Sequence, residues 1–360
     1  MKHPYADALA DMRVAVVIPC HRVRASVLPV IARIGPEVDL IYAVDDACPE
    51  GSGVFIAEHA ADPRVNVLFH DENMGVGGAT LTGMRAAVAG GADIIVKIDG
   101  DGQMDPALIP GFVGMIAAGE ADYAKGNRFF EPESVARMPI VRLIGNAGLS
   151  FLSKLSTGYW QTMDPTNGYV AIHASLVELL PTEKIARRYF FESDLMFRLS
   201  ILNAKVVDVP MVARYGEEIS GLVPHREILP FAAGHLRNLG KRILYNYFIR
   251  GFSAASVELV LGFGLLLFGI VFGLANWGLR SPASAGTVMV AALPVIVGFQ
   301  LLLAALNYDI QAVPRTALYP RLRLSARNRS GSAGRGVPPL TPGAGAGTGD
   351  TRARAEALEP

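Results

Sequence analysis

Over roughly the first 210 residues, short and almost wholly apolar runs alternate with longer mixed stretches. Residues 14–18 end at Pro19, residues 39–44 end at Asp45-Asp46, residues 64–69 form a third run, and residues 93–98 end at Asp99. Runs of this length, continuous rather than alternating and separated by helical stretches, predict a largely parallel sheet covered on both faces. Polar residues gather where the runs stop. In open α/β sheets that is the edge where ligands bind, so residues 13 to about 212 read as an α/β domain of nucleotide-binding type.

The pattern changes near residue 230. Phe231, Leu236, Leu239, Ile243, Leu244, Tyr247 and Phe248 are interleaved with His235, Arg237, Lys241, Arg242 and Arg250. This mixture at helical spacing predicts helices lying on a membrane surface. Residues 259–275 and 288–306 are then uncharged and apolar. At 1.5 Å per residue they span roughly 25–29 Å, close to a bilayer core. Joined by a short loop they predict a transmembrane hairpin, within which Pro294 is tolerable because a neighbouring helix helps satisfy the backbone.

Cations set the expected orientation. Arg237, Lys241, Arg242 and Arg250 precede the first span, and Arg315, Arg321, Arg323, Arg327 and Arg329 follow the second. The loop between carries only Arg280. Both ends are therefore expected in the cytoplasm. The first residues are polar and the first apolar run is too short for a secretory leader, in keeping with a cytoplasmic domain. Beyond residue 325 the Gly-, Ala-, Pro- and Arg-rich tail reads as disordered.

Composition adds little except by exclusion. A net charge of zero gives no basic field for nucleic acid. Two cysteines, Cys20 and Cys48, are too few for a disulfide framework.

The stretch Asp99-Gly100-Asp101-Gly102-Gln103 follows a buried strand, where clustered carboxylates are costly unless something neutralises them. Asp101 and the Gln103 amide offer hard oxygen ligands suited to Mg²⁺ or Mn²⁺ on a diphosphate, with Asp99 beside them for ribose or a bound water. Asp45-Asp46 ends another strand on the same edge; its carboxylates could receive a base or ribose, or build an Asx-type turn over residues 46–51. Residues 73–79, with Asn73, Gly75 and Gly77, open a helix. The glycines there suit either backbone approach to phosphate or a flexible turn.

As an ordered set, Val17-Ile18-Pro19, Val44-Asp45-Asp46, Asn73-x-Gly75-x-Gly77 and Asp99-x-Asp101-x-Gln103 with Asp105-Pro106 resembles family-2 glycosyltransferases of the GT-A fold. Within them it is similar to the dolichol-phosphate mannosyltransferase type, the polyprenyl-phosphate glycosyltransferases. The resemblance implies that Pro19, Asp45, Asp46, Asn73, Gly75 and Asp99 line the donor site, and that Asp99, Asp101 and Gln103 form the metal site. It implies catalytic roles for Asp101, Arg128, Arg142 and Arg214. Gly126-Asn127-Arg128 resembles the family's G-S-R, and Arg214-Tyr215-Gly216-Glu217 a loop closing over substrate. Here the sequence departs from the pattern: the arginine is displaced by one residue, the lysine of G-E-S-K is missing, and Ala47-Cys48 replaces Gly-Ser. Residues 164–169 and 190–194 complete the set. A phosphate acceptor is largely a dianion at pH 7 and needs no base, so Glu192 and Asp194 are expected to position the acceptor or to pair with Arg187 or Arg188.

The expected protein is therefore an α/β GT-A (Rossmann-like) enzyme. A short extension (1–12) precedes the catalytic domain (13–229), juxtamembrane amphipathic helices (230–256), a two-helix transmembrane hairpin (257–310) and a cytoplasmic, disordered tail (311–360). Its implied reaction is inverting transfer of a sugar from a nucleotide-sugar to a polyprenyl phosphate at the cytoplasmic membrane face. The alternatives are direct transfer to a glycolipid or polysaccharide and a non-catalytic scaffold. Its expected partners are the donor, the acceptor, the lipid bilayer and a possible second copy of the chain, without nucleic acid.

Overall fold

The computed structural model describes residues 6–130, 140–211, 224–276 and 283–323. By compactness the chain divides into residues 1–321 and 322–360. The second unit contributes only Leu322 and Arg323 to the described residues; the sheet, the helices and the site all belong to the first.

Seven strands make one sheet: β1 Val14–Cys20, β2 Leu40–Asp45, β3 Val65–Phe69, β4 Ile94–Lys97, β5 Tyr123–Asn127, β6 Val170–His173 and β7 Val206–Pro210, in the order β3-β2-β1-β4-β6-β5-β7. The four strands expected from the apolar runs are β1 to β4, all mutually parallel. The sheet is mixed rather than largely parallel beyond them, because β6 runs antiparallel to both neighbours. β5 and β7 therefore point the same way as β1 to β4. All six parallel strands thus deliver their carboxyl ends to one edge. β1, β4, β5 and β6 are buried along their whole length, which is why they lack a polar alternation.

Eleven α-helices are described: α1 Ala6–Leu9, α2 Val27–Ala32, α3 Ser52–His59, α4 Gly75–Ala89, α5 Ile109–Ala117, α6 Ile140–Thr157, α7 Ala174–Leu179, α8 Phe191–Leu202, α9 Pro224–Leu244, α10 Ala254–Asn276 and α11 Ala285–Gln311.

α9 has its amphipathicity reversed. Phe231, His235, Asn238 and Arg242, one stripe at helical spacing, are buried, whereas Ile228, Leu229, Leu236 and Leu244 are exposed. Each inward polar side chain has a partner: His235 Nδ1 lies 2.8 Å from Ser156 Oγ, Asn238 donates to Asp194 at 2.9 Å, and Arg242 grips Asp309 at 2.6 and 3.0 Å, while His235 Nε2 and Arg242 Nε are buried without one among the described residues. A helix that buries polar residues and exposes leucines suits a surface covered by lipid. It begins before residue 230 and runs through Pro230.

α10 and α11 both have mean hydropathy 2.4, and only 11% of each apolar window is buried, which rules against soluble core helices. They pack closely through small residues: a Cβ on Gly298 would come within 2.7 Å of the Leu266 backbone, and one on Gly269 within 2.6 Å of Ala291 O. Both helices outrun the predicted spans.

Beyond the expected tail boundary at residue 311, residues 318 and 319 pack on the catalytic domain. Backbone N–H groups of Leu318 and Tyr319 donate to Asp122 at 2.7–2.8 Å, as does that of Lys205. The Tyr319 ring stacks on His173 with centroids 4.0 Å apart. The reason is an unmet need rather than a sequence pattern: Asp122 is fully buried immediately before β5, and a carboxylate there requires donors.

Candidate active site

The carboxyl edge of the sheet gathers most of the residues singled out from the sequence, though several do different work from that expected. Asp45, at the end of β2, accepts hydrogen bonds from Cys48 N at 2.7 Å and Gly53 N at 2.5 Å. It builds the Asx-type turn into α3, one residue earlier in the chain than the turn expected from Asp46. Asp46 is 2% exposed. Its Oδ1 accepts from Met74 N and lies 2.8 Å from His70 Nδ1, and its Oδ2 accepts from Gly75 N at 2.8 Å. Both carboxylates are therefore bonded to backbone N–H groups of the turns that follow β2 and precede α4.

The start of α4 is similarly closed. Gly78 N donates to Arg187 O at 3.1 Å, and a Cβ on Gly75, at φ +82°, would sit 2.6 Å from that carbonyl. A Cβ on Gly77 would strike Phe191. The glycines admit residues 187–191 against the helix. Asn73 donates to Asp46 O at 3.2 Å, and Pro19 is buried in β1 opposite Val44.

The open part of the edge lies after β4. Asp99, Asp101 and Gln103 are half-buried, and Asp101 Oδ1 accepts from Gln103 N at 2.9 Å, so the two candidate metal ligands share one turn. Behind them stands Lys97, which the apolar pattern places inside a strand without assigning it a role. Its side chain is 1% exposed, with Nζ 2.7 Å from Asp99 and 3.8 Å from Glu192. Burial opposes its charge, but Asp99, Glu192 and Asp101 outweigh that, and its pKa moves up: it is an ammonium. Burial pushes the Glu192 carboxyl above the usual range. Gly168 leaves room for this pair, since a Cβ there would collide with Lys97 Nζ.

Register places a second buried lysine in the same transverse row, because Val170 of β6 faces Lys97 on one side and Lys125 on the other. Lys125 donates to Met163 O and to Asp164 O, the latter at 3.0 Å, and lies 3.3 Å from Asp208. Burial lowers its pKa and raises that of Asp208. Next to it, Arg128 meets Asp164 in a two-pronged pair, Nε to Oδ2 at 2.7 Å and Nη2 to Oδ1 at 2.6 Å. Burial works against the Asp164 carboxylate, but the bonds from Arg128 prevail and hold it below the usual range. Residues 164–169 thus hold the arginine of Gly126-Asn127-Arg128.

Glu192 and Asp194 differ from each other. Neither forms an ion pair with Arg187 or Arg188 among the described residues. Asp194 is 1% exposed and accepts from Ala186 N and Asn238, with Arg198 at 3.5 Å, so it is a structural residue. Glu192 faces Lys97. Arg142 lies in α6 with its side chain outside the described groups, and Arg214 lies outside the described residues.

Two buried lysines, an arginine–aspartate pair and a half-exposed carboxylate turn on one sheet edge can hold a polyanion and its counter-ion. Lys97 was legible in principle: a lysine ending an apolar strand two residues before an aspartate requires a partner.

The family described as "Glycosyl transferase family 2" matches residues 15–180. A UDP-N-acetylglucosamine–dolichyl-phosphate N-acetylglucosaminyltransferase of Methanococcus voltae is 29% identical over 58% of this chain and 88% of its own. An undecaprenyl-phosphate mannosyltransferase of Micrococcus luteus is 31% identical over 56% of this chain and 83% of its own. Among solved structures, glucosyl-3-phosphoglycerate synthase of Mycobacterium tuberculosis aligns at 23% identity and TM-score 0.48, over 66% of this chain and 82% of that one, too distant to bear on substrate or metal. With the sheet, the carboxylate turn and relatives matched over most of their length, the chain belongs to glycosyl transferase family 2.

Proposed function

We propose that this glycosyltransferase moves one sugar, with inversion, from a nucleotide-sugar to a polyprenyl phosphate at the cytoplasmic face of the membrane. The observation that carries the reading is the Asp99–Gln103 turn: oxygen donors left half-exposed at a strand end, backed by a buried ammonium, on a domain carrying two apolar helices. The names of the two relatives, both transferases to a polyprenyl-type phosphate, support the acceptor class.

The donor set fits a Mg²⁺ or Mn²⁺ ion. Such ions are commonly held by one or two carboxylates plus substrate phosphates rather than by an all-protein cage. Among the described residues no group of three or more His, Cys, Asp or Glu could form such a cage. Asp101 and Gln103 would hold the ion, and when bound it supplies positive charge to the departing diphosphate. Asp99 contributes less as a ligand than as the partner of Lys97, which fixes its orientation. Lys97 keeps a permanent positive charge beneath the site. Arg128, steadied by Asp164, together with Arg142 and Arg214, are the proposed cations for the acceptor phosphate. The phosphate oxygen attacks the anomeric carbon, and the bond from that carbon to the diphosphate oxygen breaks with its electron pair leaving on the nucleoside diphosphate. No proton need be removed from a dianionic acceptor.

The test is transfer by the purified full chain from labelled nucleotide-sugars to polyprenyl phosphate and to the matching free polyprenol, with and without a chelator. Transfer to the phosphate alone, abolished by the chelator, is expected. Equal use of the alcohol would overturn the acceptor and make Glu192, not Asp194, the base.

The positive-inside asymmetry supports both termini on the cytoplasmic side. Cysteines at Ser281 or Ser284 should then react with an impermeant reagent from outside intact cells; reaction only after permeabilisation would reverse the topology.

A further inference from the structure

On the side of the domain away from the catalytic edge lies a second polar concavity. A cavity of about 290 Å³ opens where the end of α8, the turn before α10 and the stretch after α11 meet. Its walls include Asn203, Arg250, Pro314, Arg315, Thr316 and Arg321; three lining residues are arginines and none is acidic. All three arginines are exposed, and among the described residues no carboxylate forms an ion pair with any of them. Arg250 is held in place by donating to Ile201 O at 2.6 Å. Three guanidiniums without a carboxylate around one small cavity repel each other, and an anion between them relieves that repulsion.

Position decides which anion. Arg250 stands just before α10 and Arg315 just after α11, so the cavity lies at the root of the hairpin. Leu244, Ile249 and Phe252, exposed by 55%, 66% and 74%, lie in the segment leading into α10. Such apolar side chains at a helix root mark the depth of the membrane interface. Basic pockets at that depth suit anionic headgroups, and the guanidinium fork matches phosphate oxygens. The catalytic edge is elsewhere: Glu192 opens α8 and Leu202 closes it, roughly 15 Å apart along the helix axis.

We propose that this cavity seats the phosphate of an anionic phospholipid headgroup, distinct from the acceptor lipid, and that Arg250, Arg315 and Arg321 bind it. The proposal rests on the membrane hairpin and not on the sugar-transfer reading. It is tested by native mass spectrometry of the detergent-solubilised full chain titrated with phosphatidylglycerol, phosphatidylcholine or inorganic phosphate. Preferential retention of phosphatidylglycerol is expected, and R315Q/R321Q should weaken it on the order of 30-fold, with about fivefold for R315Q alone should the double variant not fold. R237Q, an exposed cation on α9, should leave retention unchanged. Undiminished retention by R315Q/R321Q, or by R315Q where the double variant does not fold, would overturn the proposal. So would an equal loss in R237Q, or displacement of the lipid by inorganic phosphate at the same concentration.

Discussion

The two edges of the central sheet carry the same kind of group and use it differently. At the carboxyl edge, Asp99 and Asp101 stay half-exposed, and the cation behind them, Lys97, is fixed from beneath. At the opposite edge Asp122 takes three backbone N–H groups, and near the hairpin root Asp309 takes Arg242, Tyr247 and the Trp160 indole. A carboxylate with its acceptor capacity filled is a fastening; one left partly open beside a buried cation is a site. Asp194, which takes Ala186 N and Asn238, belongs with the fastenings, although it stands near the catalytic edge.

Substitution should separate the two classes. Asp101→Ala should reduce transfer about a thousandfold or more while moving the thermal midpoint by no more than about 2 °C; unfolding of the variant would make Asp101 a fastening too. Arg242→Ala should do the reverse, costing about 3–5 kcal/mol because Asp309 is left buried without its cation. Joint replacement by Met at 242 and Leu at 309 should recover most of that loss, read by thermal unfolding in detergent.

His235 extends the contrast to pH. Burial lowers its pKa to about 4. Because the folded value lies below the ordinary 6.5, its contribution is complete above pH 6.5 and is lost as pH falls towards 4. The loss is about 2–3 kcal/mol, and His235→Phe should flatten that part of the stability profile. The smallest effect expected is at Glu192. Glu192→Gln should slow transfer about tenfold and remove an acid limb lying above the usual glutamate range, since it subtracts one neighbour of Lys97. A thousandfold loss would instead mark it as a base.

Much of the frame was legible because it follows from period and composition: four strands, two spans, and the turn of Asp99 to Gln103. β6 was hidden because an antiparallel strand between two parallel ones is as apolar as its neighbours. The use of Asp46 was hidden because the sequence does not say whether a carboxylate after a strand turns to the ligand or to the next helix. The positions of Met74 and Gly75 show the turn towards the next helix. Arg242 looked like one surface charge among several, yet its partner lies 67 residues away on a helix that hydropathy treats as lipid-facing.

The contact of Leu318 and Tyr319 with Asp122 has a consequence for biogenesis. Translation reaches Asp122 and its donor Lys205 early, but the other two backbone donors, Leu318 and Tyr319, are made only after both apolar helices have been synthesised. The Asp122 carboxylate therefore gains its last two donors only once the hairpin has been synthesised. The full fastening of this carboxylate is thus ordered by the direction of synthesis.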